Sequence, residues 1–414
     1  MPPLRYPERI PGIGVRCVAR AEARRSGCYR NRFLAFVSPL LALGASSSLG
    51  QQPSAIIAGR CVAPDGTLKA DVAIVLSSGK IKALRAGADY AGGGEVVLHP
   101  DAVVCPGLID VRSTIGAYGN NVETASAIDP GASAVDTLDP HHRDFRSALR
   151  GGITTAMIAP ATTNLISGAA VVVKTGGPST KSAVLRTDGP LMFALGSGVQ
   201  RFDRVPTSRL GAASMLRDAL DSAARGEGHA RLVAFAHGRL DGVVFCEEPE
   251  DVDTALRLFG RLDRSVTLMH TSDAHELAAD AAGHVGVVVI GPLDFGMSSR
   301  TLSSPVAFAG AEVSVAFAGD TPRHGRDALR VTAALAVRYG MDAAAARRAI
   351  SSAPAAVAGV SDRVGAIKPG LDADLVVFSD DPLRLDARVL EVYIDGTRVY
   401  NATLDPEFVS GDQP

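Results

Sequence analysis

Four apolar runs in this chain end on polar side chains that can do chemistry. "PGLIDVRSTIG" (106–116) runs out into Arg112, Ser113 and Thr114, and "VVFCEEPEDV" (243–252) into Glu247. "VTLMHTSD" (266–273) ends on His270, and "VAFAGDTP" (315–322) on Asp320, with His324 four residues further on. A guanidinium is a permanent, donor-only cation: it grips carboxylates or a developing oxyanion and repels a metal ion. Histidine and aspartate move protons or hold metals. Plainer roles compete with these. Glu247 stands beside Glu248 and Glu250, as solvated glutamates do; Asp320 precedes Thr321-Pro322, as turn-capping aspartates do; and His270 fits a hydrogen-bonded strand end. None of the nine histidines forms a His-x-His or HExxH arrangement.

The elements that must carry these residues alternate in type. From Pro106 on, strand-like runs such as "ITTAMIA" (153–159), "VVVK" (171–174), "LMFAL" (191–195), "GVVVIG" (286–291) and "EVSVAFAG" (312–319) are separated by helical stretches. One is "DPHHRDFRSALRGG", in which Asp139 is expected to cap a helix, Pro140 to take its first position and Gly151 to end it. Repeated βα units over residues 106–360 predict a parallel sheet closed into a (β/α)8 barrel, with an open doubly wound sheet as the alternative. In a barrel, function sits where strands end, which is where the polar residues above lie. The flanks differ. Residues 51–105 and 361–414 read as short strands joined by tight turns such as Ser78-Gly79, predicting one β domain built from both ends.

Composition excludes several classes. With 414 residues, 46% hydrophobic and 21% charged, the chain has ample material for a core; a net charge of -2 and scattered basic residues leave no surface for nucleic acid. Residues 1–50 combine an arginine-rich start, the apolar "FLAFVSPLLALGASSSLG" and a small-residue end, predicting an export signal cleaved near Gly50, a periplasmic or secreted product and no membrane span after removal. Beyond that leader three cysteines remain, Cys61, Cys105 and Cys246, an odd number without CxxC spacing, so no disulfide framework is expected.

The ordered set "IIAGRCVAPDGTL" with "ADVAIVLSSGKIKAL", then "CPGLID", "RSALRGGITTAMIAPATTNLISG" and "VGAIKPGLDADLVVFSDDPL" resembles the amidohydrolase superfamily, in particular its imidazolonepropionase-like branch. The resemblance implies a distorted (β/α)8 barrel with a small β-sandwich domain from both chain ends. It also implies hydrolysis of carbon–nitrogen bonds such as cyclic amides, through a water activated by zinc or another divalent metal. Where the family continues "PGLID" with His-x-His, this chain has Arg112 and Thr114; where it has His-x-His on the fifth strand, Phe245 and Glu247 stand here. No lysine lies between Lys181 and Lys368 to bridge two metals in that part of the barrel.

The family's ligand histidine on the sixth strand corresponds to His270. Its ligand and proton-transfer aspartate corresponds to Asp320, leaving these two as a residual metal set and Asp320 as the catalytic group. Arg112, Thr114, Glu247 and His324 are the expected substrate-binding residues. Two outcomes are expected to compete: a hydrolase with a depleted metal site, and an inactive exported binding protein that works alone, as a homo-oligomer or beside an active relative. In either, the partner is a small molecule.

Overall fold

The computed structural model describes residues 49–50, 52–117, 121–176, 180–246, 248–262, 264–269 and 273–405. The leader expected over residues 1–50 falls almost wholly outside this set. No described helix is long and apolar enough to cross a membrane.

Strands β1 (Ala55–Val62), β2 (Leu68–Ser77) and β3 (Lys80–Ala86) form an antiparallel meander, and β4 (Val96–Pro106) lies parallel to β1 on its other side. Ser78 and Gly79 take φ of 51° and 76° at the β2–β3 turn, the mirror-image geometry that matches strand twist. Beyond β4 the chain passes through Gly107 into the barrel. A Cβ there would lie 1.9 Å from the Thr154 hydroxyl oxygen, so only a hydrogen fits at this crossing.

The barrel starts with β5 (Leu108–Ser113), parallel to β6 (Ile153–Ile158). The next strand is broken at Ala170 into β7 (Ile166–Ala169) and β8 (Val171–Lys174), and β8 pairs antiparallel with β6 and with the short β9 (Val184–Arg186). The other half, β7, pairs antiparallel with β10 (Leu191–Leu195). From β10 the order is parallel through β11 (Gly242–Cys246), β12 (Val266–Met269), β13 (Val285–Ile290) and β14 (Ser314–Phe317). A bridge between Ser113 and Thr321 brings the segment after β14 back to β5.

With β7 and β8 counted as one, eight strands thus form the distorted barrel, its third member reversed. One apolar cluster fills the interior with a residue from each: Ile109, Met157, Val172, Met192, Val243, Met269, Val289 and Ala316. Strands buried on both faces explain the continuous apolar runs in the sequence.

Outside, helices cover the strands with one apolar face. In Arg209–Ala224 the buried positions are Ala212, Leu216, Leu220 and Ala223, a helical spacing, and Ser208 caps the start by accepting the Gly211 N–H. The acidic run after β11 opens the helix Pro249–Phe259, where Asp251 accepts the Glu248 N–H at 2.9 Å. The helix expected from Asp139 starts later, at Asp144, and ends as expected at Gly151. Asp139 instead accepts the His141 N–H at 3.0 Å, a local turn that competes with the helix for the backbone.

At the C-terminus β15 (Leu375–Phe378) pairs antiparallel with β4, and β16 (Val389–Ile394) and β17 (Thr397–Asn401) extend the sheet beyond it. Both chain ends thereby share one seven-stranded sheet with its own core, including Ile56, Ile74, Val104, Leu375 and Tyr393. Cys61, Cys105 and Cys246 are buried and free; burial pushes the Cys61 thiol up to about 12, so these are packing residues.

The β domain and barrel meet through buried ions. Lys174, at the end of β8, places Nζ 2.8 Å from Asp372, 3.1 Å from Asp374 and 2.7 Å from Asp395. Asp372 also accepts from Arg363 and Lys80. Burial works to raise its carboxyl, but the hydrogen bonds from Arg363, Lys174 and Lys80 outweigh that and hold it well below the carboxylate range. Asp374 has less help, and burial raises it to about 6 against the pull of Lys174.

Candidate functional site

Asp110 organises the mouth of the barrel. It is fully buried in β5, and its carboxylate accepts three backbone N–H groups: those of Arg112 at 3.1 Å, Gly319 at 3.0 Å and Thr321 at 3.0 Å. Burial raises this carboxyl and the backbone donors partly offset the rise. The Ser113 hydroxyl donates to the Thr321 carbonyl at 2.9 Å, and the Thr114 N–H donates to the same oxygen at 3.0 Å. First strand and last loop are stitched together, and Asp320 is held between two of the amides that Asp110 binds, at a left-handed φ of 49°.

Arg112 projects into this mouth. Its Nη2 lies 3.7 Å from Asp320 Oδ2, and its guanidinium carbon stands 5.2 Å from the centre of the Phe245 ring. Burial lowers the Arg112 pKa, and Asp320 and Asp110 counteract this while Arg323 adds to it; a guanidinium stays charged through such a shift. His324 Nδ1 approaches the same Asp320 oxygen at 3.2 Å from the half-exposed loop. A cation is therefore built into the barrel mouth, with an aspartate on one side and an aromatic face on the other.

Around it lies a cavity of about 630 Å³, lined by Arg112, Ser113, Thr114, Ala117, Asn121, the loop Ala159–Thr163, Met192, Met269, Asp320, Pro322 and Arg323. The loop is braced from behind: Asn121 donates to the Ala159 carbonyl, Ser167 to the Ala161 carbonyl and Arg204 to the Thr163 carbonyl.

Of the residues singled out in the sequence, Arg112, Thr114 and Asp320 meet in this cavity, and His324 reaches it through Asp320. His270 and Glu247 lie outside the described residues. Asp110, Phe245, Asn121, Thr163 and Arg323 carry parts that strand-end inspection did not assign. Asp110 had a readable signal, since a carboxylate inside an apolar strand must find donors. Arg323 had one too, as a cation three residues past Asp320 in the same loop.

Residues 306–400 match the model of the Amidohydrolase family. A curated relative, the amidohydrolase tasK of Hapsidospora irregularis, is 22% identical over 362 residues, covering 73% of this chain and 37% of the relative. Over these stretches the chain is similar to amidohydrolases. It spans little more than a third of that relative's length. Among solved structures this chain shares its fold with an amidohydrolase from Thermotoga maritima MSB8, at TM-score 0.76 and 23% identity over 84% of this chain and 100% of the other. A putative prolidase from Bifidobacterium longum is similar at TM-score 0.57 and 15% identity, over 86% and 96%.

The amidohydrolase family is typically metal-dependent, so the donor set is the test. Among the described residues no three His, Cys, Asp or Glu side chains converge as metal ligands. At the barrel mouth the described metal-ligand types are two, the Asp320 carboxylate and the His324 imidazole, beside the guanidiniums of Arg112, 3.7 Å from Asp320, and Arg323, the hydroxyls of Ser113, Thr114, Thr162 and Thr163, and the amide of Asn121. A divalent ion beside Asp320 would meet the positive charge of Arg112 at close range. The described residues do not fit the metal.

Proposed function

We propose that this chain is an amidohydrolase-superfamily protein in which metal-dependent hydrolysis of carbon–nitrogen bonds is reduced or lost, and whose barrel pocket binds a small molecule. The observation that carries this reading is Arg112: its guanidinium stands between Asp320 and Phe245, where it supplies a fixed positive charge and excludes a mobile one. Elemental analysis of protein purified without added metal is expected to find zinc, manganese, iron and cobalt well below one per chain. Cyclic amides should remain uncleaved with or without those ions. One tightly held ion per chain, or metal-dependent turnover, would overturn the reading.

A second reading rests on the contact between Asp320 and His324. A proton-transfer pair beside a guanidinium able to stabilise an oxyanion supports slow hydrolysis without a metal. Metal-independent turnover lost in Asp320→Asn would favour it.

Export belongs to the same proposal and is supported by the basic and apolar character of residues 1–50. Fractionation of cells making the full chain is expected to place it outside the cytoplasm, with a new N-terminus near residue 51; an intact chain in the cytoplasm would contradict this. Association with a second copy or an active relative is part of the proposal too. Mass photometry of the purified chain, alone and mixed with the relative, would show it.

A further inference from the structure

The walls of the pocket constrain the ligand's chemistry. The charged side chains lining it are Arg112, Arg323 and Asp320, a cationic balance. Arg323 has no ion-pair partner among the described residues, and Asp320 is already approached by Arg112 and His324. Three polar atoms on lining residues are buried without a hydrogen-bond partner: Arg112 Nη1, Thr163 Oγ1 and Asp320 Oδ2. Such atoms cost stability unless something occupies them, and the penalty is largest for charged groups. The Arg112 atom can only donate, Asp320 Oδ2 accepts, and a threonine hydroxyl does either.

We infer that the pocket takes a small organic acid, its carboxylate held by Arg112 and Arg323 and an N–H or O–H group directed to Asp320 and Thr163. A carboxylate offers acceptors in the planar arrangement that guanidinium donors match, and such charge-assisted bonds are the strong ones. Phe245 covers one face of Arg112 and leaves its N–H edge for the ligand. Met192, Met269, Ala117 and Pro322 supply an apolar wall suited to a short aliphatic body, and a cavity of about 630 Å³ lies in the range of small-molecule sites. N-acylamino acids and hydroxy acids have this pattern.

The inference rests on the small-molecule site proposed above and adds the ligand's charge and donor pattern. Calorimetric titration of the full chain with N-acetylglycine, N-acetylalanine, lactate and succinate, each beside its primary amide, tests it. At least one acid is expected to bind, with its amide weaker by about tenfold or more. Arg323→Gln and Arg112→Gln are each expected to weaken the acid to a similar extent, with Arg112→Lys recovering part of the loss. Because Arg323 is exposed, its variant keeps the test valid should Arg112→Gln fail to fold.

Amides binding as tightly as acids, no acid binding at millimolar concentration, or unchanged affinity in Arg323→Gln would overturn the inference. Metal uptake with turnover, alongside acid binding that needs Arg112, would sink the proposed loss of metal chemistry and leave this inference standing. Binding of the neutral amides alone would do the reverse.

Discussion

Lys174→Met is expected to cost about 3–5 kcal/mol of folding stability near neutral pH, because it strips the cation from buried carboxylates that must then stay charged without it or take up a proton. Asp372 and Asp374 are both nearly fully buried, and Lys174 is the ion that touches both. A domain's total stability is only about 5–15 kcal/mol, so the loss should be plain in the midpoint of urea unfolding.

The pH dependence identifies the cause. Asp374 is raised in the folded protein, from 3.8 to about 6, so between those values the folded state holds a proton that the unfolded chain has released, and this group's contribution falls as pH rises through that window. Asp372 is depressed, so its contribution is present above the ordinary carboxylate value and lost as pH falls through its folded value. Lys174 is raised above 10.5 because burial, which opposes its charge, is outweighed by Asp374, Asp372 and Asp395; its contribution persists below that value and is lost as pH climbs through the raised one. Without the ammonium Asp374 should rise further and take up its proton. The penalty of Lys174→Met should therefore be smaller near about pH 5 than near about pH 8. An equal penalty at both values would mean that lost packing, not charge, is responsible.

Asp110→Ala should match that loss, at about 3–5 kcal/mol, by leaving the N–H groups of Arg112, Gly319 and Thr321 buried without an acceptor. Asp110→Asn should be milder, at about 1–3 kcal/mol, since one carboxamide oxygen remains while its NH2 faces another donor. The local readout is amide hydrogen exchange. Gly319 and Thr321 should lose protection in both variants, while amides in β1 and β2 of the more conservative one should not. Acid binding should weaken with them, because Asp320 sits between those two amides. Full protection at Gly319 and Thr321 in Asp110→Ala would show that the clasp is dispensable.

The strand residues were legible because strands buried on both faces are written as Val, Ile and Ala runs; "LMFAL" became Leu191–Leu195 and "VTLM" became Val266–Met269. Hairpin turns were equally readable at Ser78-Gly79, where backbone geometry restricts residue type. Closure was not, because it depends on contacts such as Ser113 with Thr321 between residues far apart in the chain. The reversal of the third strand was hidden as well: nothing in "ISGAAVVVK" states its direction, and only pairing partners show that it runs antiparallel to its neighbours and divides at Ala170. At the site, Arg112 and Asp320 are legible as the polar residues on which apolar runs end. The placement of Phe245 under Arg112 is not, since two strand ends meet only after the sheet has curled.

The shared sheet also sets a timetable for synthesis. Its inner strand β4 pairs on one side with β1, translated shortly before it, and on the other with β15, which leaves the ribosome about 270 residues later. At roughly 5–20 residues per second that interval is about 13–54 s, during which the open edge of β4 offers unpaired amides and carbonyls to any neighbouring strand. Until β15 arrives, that side of β4 has no partner within its own sheet.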